Sequence, residues 1–354
     1  MEPKTIGIVG FCGKYGQWFG NFFLERSYRV IGSDIGTVRT NREVVEQADV
    51  ILCAVPLDVV ARVTEELLPF VRPDQLWIDI ASVKKPVTAV LKKMPCETVS
   101  IHPMCAPTVR TLRGQIMVVC PVWLEHWTPW VGAFLAYTQA RIKYSDAETH
   151  DKATAVVQPL AHALILALAG VFRDAGVDIR ETLSYMSPFY RIIFSLVGRI
   201  LSQDPRLYTA IQMENAHTPK LLHTLALHTK HLWRIVNAHN TVGFIDEFVA
   251  SKKYFGEENL RDAFDFFDDI IRMTADLSSE YMITLDIEHD RLGLLSEVAK
   301  IFAEEGINLT AIHSQKRGAD KIRFLIGMEV GNDTPEVLRA IEKLKCLGLV
   351  SINK

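Results

Sequence analysis

The stretch "IGIVGFCGKYGQWFG" sets three glycines behind a short apolar run. Residues 6–9 read as a buried strand, and residues 17–25 as a helix that the loop opens. Gly13 and Gly16 fit two glycine roles in a dinucleotide loop: close approach to a pyrophosphate, and close packing of helix on strand. The spacing is G-x-x-G-x-x-G, so Phe11 takes the slot of the usual first glycine and Gly10 comes one residue early. Three glycines alone also suit a plain tight turn. Here a second strand at 29–31 leads on to Asp34. A carboxylate about 20 residues after the loop can bond the ribose 2′-hydroxyl. The loop therefore reads as a cofactor site, with Gly10, Gly13, Tyr15, Gly16 and Asp34 as its contacts. Backbone amides at the helix start would hold the phosphates. The charge of Asp34 repels a 2′-phosphate, which favours NAD over NADP, although Arg39 lies close by in sequence.

Four further stretches hold acid–base or cationic groups. "DIASVKK" contains Ser82 and Lys84, and "SIHPMCAP" contains His102. "THDKATAVVQPLAH" contains His150 and His162, and "MSPFYRIIFSLVGRILSQDPRLY" contains Arg191 and Arg199. The first two follow predicted strands, at the edge where open parallel sheets place ligands. The other two lie on predicted helices. Singly, each has a plain explanation: a structural histidine, a helix-surface cation, or Asp204 as a helix cap. As an ordered set they point to an enzyme. His150 and His162 stand about 18 Å apart along an unbroken helix. Both can touch one ligand only through a break, or one of them acts indirectly. His223, His228 and His231 share a helical run without an acidic or Cys partner at ligand spacing, so no metal site is expected.

The elements that position these groups fall into three regions. At 354 residues the chain exceeds one ordinary core. Residues 1–146 alternate apolar strands (6–9, 50–55, 76–80, 98–101, 116–119) with helical patterns, one of which starts at Asp58 as N-cap. Such alternation implies an α/β Rossmann-type, doubly wound parallel sheet. Residues 147–275 show only helical spacing and read as an all-α domain that packs on a partner, so a homodimer is expected. A polar linker, "TADLSSEY", precedes residues 280–354, whose order βαββαβ is a small α+β ferredoxin-like unit ending in a strand at 349–352. The net charge of −3 without a basic stripe argues against nucleic acid. Scattered cysteines and no leader before the first strand imply a reduced, cytoplasmic protein. The most apolar run, 164–172, is too short to span a bilayer and reads as a buried helix, so no membrane association is expected.

Over about residues 5–270 the chain resembles the prephenate dehydrogenase family, including its arogenate-using relatives. "SPFYR…VGRI…QDPRLY" carries the resemblance most specifically, with "HPM" and "THD" behind it. It implies NAD-dependent oxidation of prephenate with loss of carbon dioxide, giving 4-hydroxyphenylpyruvate for tyrosine biosynthesis. His102 then matches the family's catalytic base, and a neutral imidazole suits that task near physiological pH. Ser82 matches the serine that bonds the ring hydroxyl and the cofactor side. Arg199 matches the arginine that grips a substrate carboxylate, which a planar guanidinium can do bidentately. Lys84 and Arg191 are further candidate cations. His150 and His162 match the two helical histidines, with His162 on the substrate side. Two departures stand out: Cys105-Ala106 where much of the family has Phe-Gly, and "TVRTLRG" in place of an acidic or Ser/Thr-rich stretch. The C-terminal unit resembles an ACT domain. That implies an aromatic amino acid, tyrosine above all, as effector at Asp290, Leu292, Gly293 and Asn308, with "HSQK" replacing the relatives' "ESRP". An arogenate dehydrogenase and a non-catalytic metabolite sensor with the same cofactor and ACT sites are the competing readings.

Overall fold

A computed structural model describes residues 4–276, 281–316 and 321–346. They form two compact units, Met1–Ile179 with Ser195–Arg234, and Arg180–Phe194 with Ile235–Lys354. The helical residues 147–275 are shared between these units.

The first unit is built on a sheet of seven strands: β1 Thr5–Val9, β2 Arg29–Ser33, β3 Val50–Cys53, β4 Leu76–Asp79, β5 Glu97–Pro103, β6 Ile116–Trp123 and β7 Arg141–Tyr144. Their order is β2-β1-β3-β4-β5-β6-β7. β3 and β4 are buried at every residue, because helices cover both faces of a parallel sheet. β1 to β5 are parallel, whereas β6 runs antiparallel to β5. The order reverses between β1 and β3, so a crevice opens above their carboxyl ends, the usual ligand position in such sheets. β7 escapes the sequence reading because it is a largely exposed edge strand of Arg, Ile, Lys and Tyr with no apolar run. The helix expected to start at Asp58 spans Leu57–Leu67 with Pro56 as N-cap. Asp58 sits instead in the first turn, where its charge still suits the helix dipole.

Ala147–Asp174 is one helix of 28 residues, interrupted by a π-turn at Val156–Leu160. Pro159 lies in that turn. Proline lacks an amide proton and clashes with the preceding turn, and the wider π-turn absorbs the defect. The run expected to be a buried helix is open in the single chain, with Leu166 56% and Val171 62% exposed. By length and composition alone the whole helix, unlike this run, is long and apolar enough to cross a membrane. The run comprises only its most apolar residues and not the helical turns continuous with them.

In the second unit, β8 Met282–Ile287, β9 Leu309–Lys316 and β10 Ile322–Met328 form an antiparallel sheet in the order β8-β10-β9. Helices Leu294–Glu304 and Pro335–Cys346 pack on it through Val298, Phe302, Val337 and Leu344. The strand expected at 349–352 and half of the linker, residues 277–280, lie outside the described residues, whereas 274–276 close the helix Glu257–Asp276.

Candidate active site

The glycine loop joins β1 to helix α1, Lys14–Leu24. Gly10 has φ +88°, and a Cβ there would lie 2.7 Å from the Ala54 carbonyl. Gly10 thus makes the tight turn itself, one residue before the usual position. Phe11 is accommodated because Gly20 and Gly32 leave room for its ring: Cβ atoms there would stand 2.9 Å and 2.3 Å from it. A Cβ on Gly16 would fall 2.2 Å from the Gly10 carbonyl oxygen, so this glycine permits α1 to pack on the loop. Gly13 is the N-cap of α1 and supplies no side-chain cap, which leaves the first-turn amides for an anion. Asp34 lies beside the loop. Its carboxylate accepts from the Cys12 amide at 2.8 Å and the Ile35 amide at 2.7 Å. These residues fit a dinucleotide, with the carboxylate fixed beside the glycine loop. Tyr15, also expected to contact the cofactor, lies in the first turn of α1. Its hydroxyl donates to the Cys105 carbonyl in the loop after β5.

His102 stands near the end of β5 and is 3% exposed. Its Nδ1 lies 3.0 Å from His150 Nε2, and His150 Nδ1 lies 2.7 Å from Asp151 Oδ1. The Asp151 carboxylate also accepts the amides of Lys84 and Lys85, at 2.7 Å and 2.8 Å. These amides begin the helix Lys85–Leu91, so Asp151 caps it from another element. Asn215 Nδ2 donates to the Asp151 carbonyl oxygen at 2.8 Å. With one proton on each ring, the assignment that satisfies the chain runs one way. A carboxylate accepts, so His150 Nδ1 carries hydrogen and its Nε2 accepts. His102 Nδ1 must then donate, which leaves His102 Nε2 as an acceptor. Gln158, in the π-turn, brings its Nε2 to 3.5 Å from that atom. Burial, then the positive charge of Lys84, then His150 hold the His102 pKa well below its ordinary value. The ring is therefore neutral at physiological pH.

Lys84 is fully buried rather than directed at a substrate. Its Nζ donates to Asp79 Oδ2 at 3.2 Å and to the Ile101 carbonyl at 2.6 Å. Burial pulls its own pKa down against the pull of Asp79. The expected substrate cation thus serves beneath His102, where its charge disfavours the imidazolium. His150, expected to bind substrate, is 2% exposed and sits behind His102. Of the two alternatives left by the helical spacing, indirect action is the one its contacts support. Ser82 is half-buried in the turn that follows β4. His162 and Arg199 form a second cluster. The His162 ring packs edge-on to Tyr208 at 4.7 Å, and burial followed by the Arg199 charge lowers its pKa. Its buried Nδ1 has no hydrogen-bond partner among the described residues. Arg199 itself is exposed. Arg191 is half-buried and belongs to the other unit. Asp151, Gln158, Tyr208 and Asn215 were not singled out in the sequence. Asp151 carried a signal, as the residue beside His150 in "THD".

In the C-terminal unit, Gly293 has φ +84° and caps the Leu294–Glu304 helix, while Leu292 is fully exposed. Asp290 pairs with Lys316 at 3.1 Å, and Asn308 Nδ2 donates to Glu329 at 2.8 Å.

A glycine-loop nucleotide site, a neutral strand-end histidine and a helical arginine together define a nucleotide-dependent dehydrogenase. Residues 27–144 match the model of the prephenate dehydrogenase nucleotide-binding domain, 146–250 that of the prephenate dehydrogenase dimerization domain, and 281–346 that of the ACT domain. A probable arogenate/prephenate dehydrogenase of Methanocaldococcus jannaschii is 29% identical over 329 residues, covering 87% of this chain and 71% of that protein. The T-protein of Haemophilus influenzae is 25% identical over 72% of this chain and 68% of its own length. Among solved structures, Aquifex aeolicus prephenate dehydrogenase, in complex with hydroxyphenyl propionate and NAD+, superposes with a TM-score of 0.54. It is 20% identical and covers 72% of this chain and 99% of that one. Synechocystis arogenate dehydrogenase gives a TM-score of 0.51 at 17% identity, over 71% and 100%. The two structures share the fold of this chain. The chain belongs to the prephenate/arogenate dehydrogenase family, with a C-terminal ACT domain. Its relatives in that family are oxidoreductases, and its first region is their nucleotide-binding domain.

Proposed function

We propose that this enzyme oxidises prephenate, using NAD, to 4-hydroxyphenylpyruvate and carbon dioxide in the cytoplasmic synthesis of tyrosine. The observation that carries the reading is the chain from Asp151 through His150 to His102, which leaves His102 Nε2 as a buried, neutral proton acceptor. When bound, the nicotinamide ring accepts a hydride. The loop residues Gly10, Gly13 and Gly16, with Asp34, hold the cofactor, and the negative charge of Asp34 favours NAD over NADP. His102 takes the proton of the ring hydroxyl as hydride leaves the same carbon. Ser82 orients that hydroxyl. Arg199 binds a carboxylate, and His162 with Tyr208 lines the pocket beside it. No group need drive loss of carbon dioxide, because the electrons of the breaking carbon–carboxylate bond complete an aromatic ring. Arg191 remains a candidate anion contact.

Replacing Arg199 with Gln should raise the Michaelis constant for prephenate by about tenfold or more, the size of a charge-assisted hydrogen bond. An unchanged Michaelis constant in steady-state kinetics would remove Arg199 from the substrate site.

We take the boundaries as 1–146, 147–275 and 280–354. The open apolar face of the Ala147–Asp174 helix supports a homodimer, consistent with the dimerization-domain match. Tyrosine is the effector proposed for the turn Asp290 to Gly293 and Asn308. The arogenate reading is favoured by one observation, that the M. jannaschii relative is named for both substrates. Cofactor reduction should be followed with prephenate and arogenate, each with NAD and NADP, with and without tyrosine. Prephenate turnover with NAD, slowed by tyrosine, is expected. Turnover with arogenate alone would move the enzyme to the other substrate. Tyrosine binding without any turnover would make the chain a sensor.

A further inference from the structure

The departure at Cys105-Ala106 lies in a loop that runs from the end of β5 to β6, directly after His102. Two side chains of α1 reach it. The Tyr15 hydroxyl donates to the Cys105 carbonyl, and the Pro103 carbonyl is 3.5 Å away. Trp18 Nε1 donates to the Val109 carbonyl at 2.9 Å. Tyr15 and Trp18 are three residues apart, so they share one face of α1. Tyr15, Trp18, Cys105 and Val109 all pack against the same buried cluster, around Phe19 and Leu112. Tyr15 belongs to the first helical turn, the turn that begins at the N-cap Gly13. One short segment thus carries both the phosphate-binding amides and the anchors of the loop beside the base.

We propose that Tyr15 and Trp18 are positioning residues that fasten the 104–114 loop to the cofactor helix. The fastening holds the loop in the shape that receives the substrate, and it makes loop and cofactor turn move as one body. It also accounts for the departure from Phe-Gly. A loop tied at two carbonyls keeps a defined path without the backbone freedom of a glycine at position 106. Burial raises the Tyr15 pKa, so the phenol remains a donor throughout the working pH range. The inference rests on the assignment of His102 as the base, and its test separates the two.

Tyr15→Phe removes one oxygen and leaves the packing ring. The expected result is a rise of roughly two- to tenfold in the Michaelis constant for prephenate, the worth of one neutral hydrogen bond. The rise should exceed any fall in kcat, with the NAD dissociation constant little changed. The loop itself is read by the maleimide labelling rate of Cys105, resolved by mass spectrometry from the exposed Cys12 and Cys346. Labelling should be several-fold faster in the variant. Trp18→Phe should act in the same direction, and the double variant further. Native labelling rates in both single variants would overturn the proposal. Faster labelling with an unchanged Michaelis constant would overturn it too, because the loop would then be free without consequence for substrate. A native enzyme that turned over neither substrate would refute the proposed function. The labelling rate, with the affinity for hydroxyphenyl propionate in place of the Michaelis constant, would still decide the clamp.

Discussion

Replacing His102 with Asn is expected to lower kcat by roughly 10²- to 10⁴-fold, the usual contribution of a positioned general base. The change is chosen for what it keeps. An Asn amide can still donate to His150 Nε2 from about the position of the native Nδ1. It offers nothing at the position of Nε2, where the substrate proton would go. The cofactor loop is on β1 and α1, so the NAD dissociation constant should be little changed. The pH profile supplies a second reading. A base must be neutral to act, so the native rate falls as pH drops through its pKa. Burial, Lys84 and His150 depress that pKa well below 6.5. The native kcat/KM should therefore be flat through neutrality and fall only at distinctly acid pH. The Asn variant should lose that acid limb together with the rate. A variant with native turnover, or a native acid limb centred at 6.5 or above, would refute the base assignment.

What the sequence made legible follows a physical division. Strands buried on both faces, such as Val50–Cys53 and Leu76–Asp79, announce themselves as apolar runs. Arg141–Tyr144 has the backbone of a strand but not its burial, so it left no trace. The glycine loop was legible in type and obscure in register. Gly10 makes the turn only because Phe11 finds space over Gly20 and Gly32, and that space is formed by residues from two other elements. Lys84 shows the limit most clearly. Its position between a strand end and a helix suits a substrate cation, yet the chain buries it against Asp79 and Ile101. Breaking such a buried pair costs about 3–5 kcal/mol, so its placement is a matter of stability as well as of electrostatics. Asp151 was hidden for a similar reason. Its partners Lys84 and Lys85 are 67 and 66 residues away in sequence. The open face of residues 164–172 misled in the opposite sense, because apolar composition predicts burial without saying in which chain the cover lies.

Asp151→Asn is the second change expected to be severe, with kcat reduced by about 10²-fold or more even though Asp151 would not touch the substrate. Both orientations of the new amide are harmful. If its oxygen stays on His150 Nδ1, the proton chain keeps its direction, but no anion offsets the charge as His102 Nε2 takes a proton. If the amide turns, its NH2 faces His150 Nδ1 and reverses both tautomers, so that His102 Nε2 carries hydrogen and cannot accept one. In either case one of the contacts to the amides of Lys84 and Lys85 is weakened, so some loss of stability is expected. Thermal melting and NAD affinity will show whether the fold persists. The decisive experiment is a double-mutant cycle with His150→Asn, which breaks the next link. Groups that act as one relay fail together, so the double variant should be little slower than either single one. Losses that simply add would mean that Asp151 and His150 act separately, and that Asp151 is only the cap of the Lys85–Leu91 helix. The relay reading also requires the variants to bind hydroxyphenyl propionate nearly as tightly as the native enzyme, because a positioning residue of this kind acts on proton transfer and not on recognition.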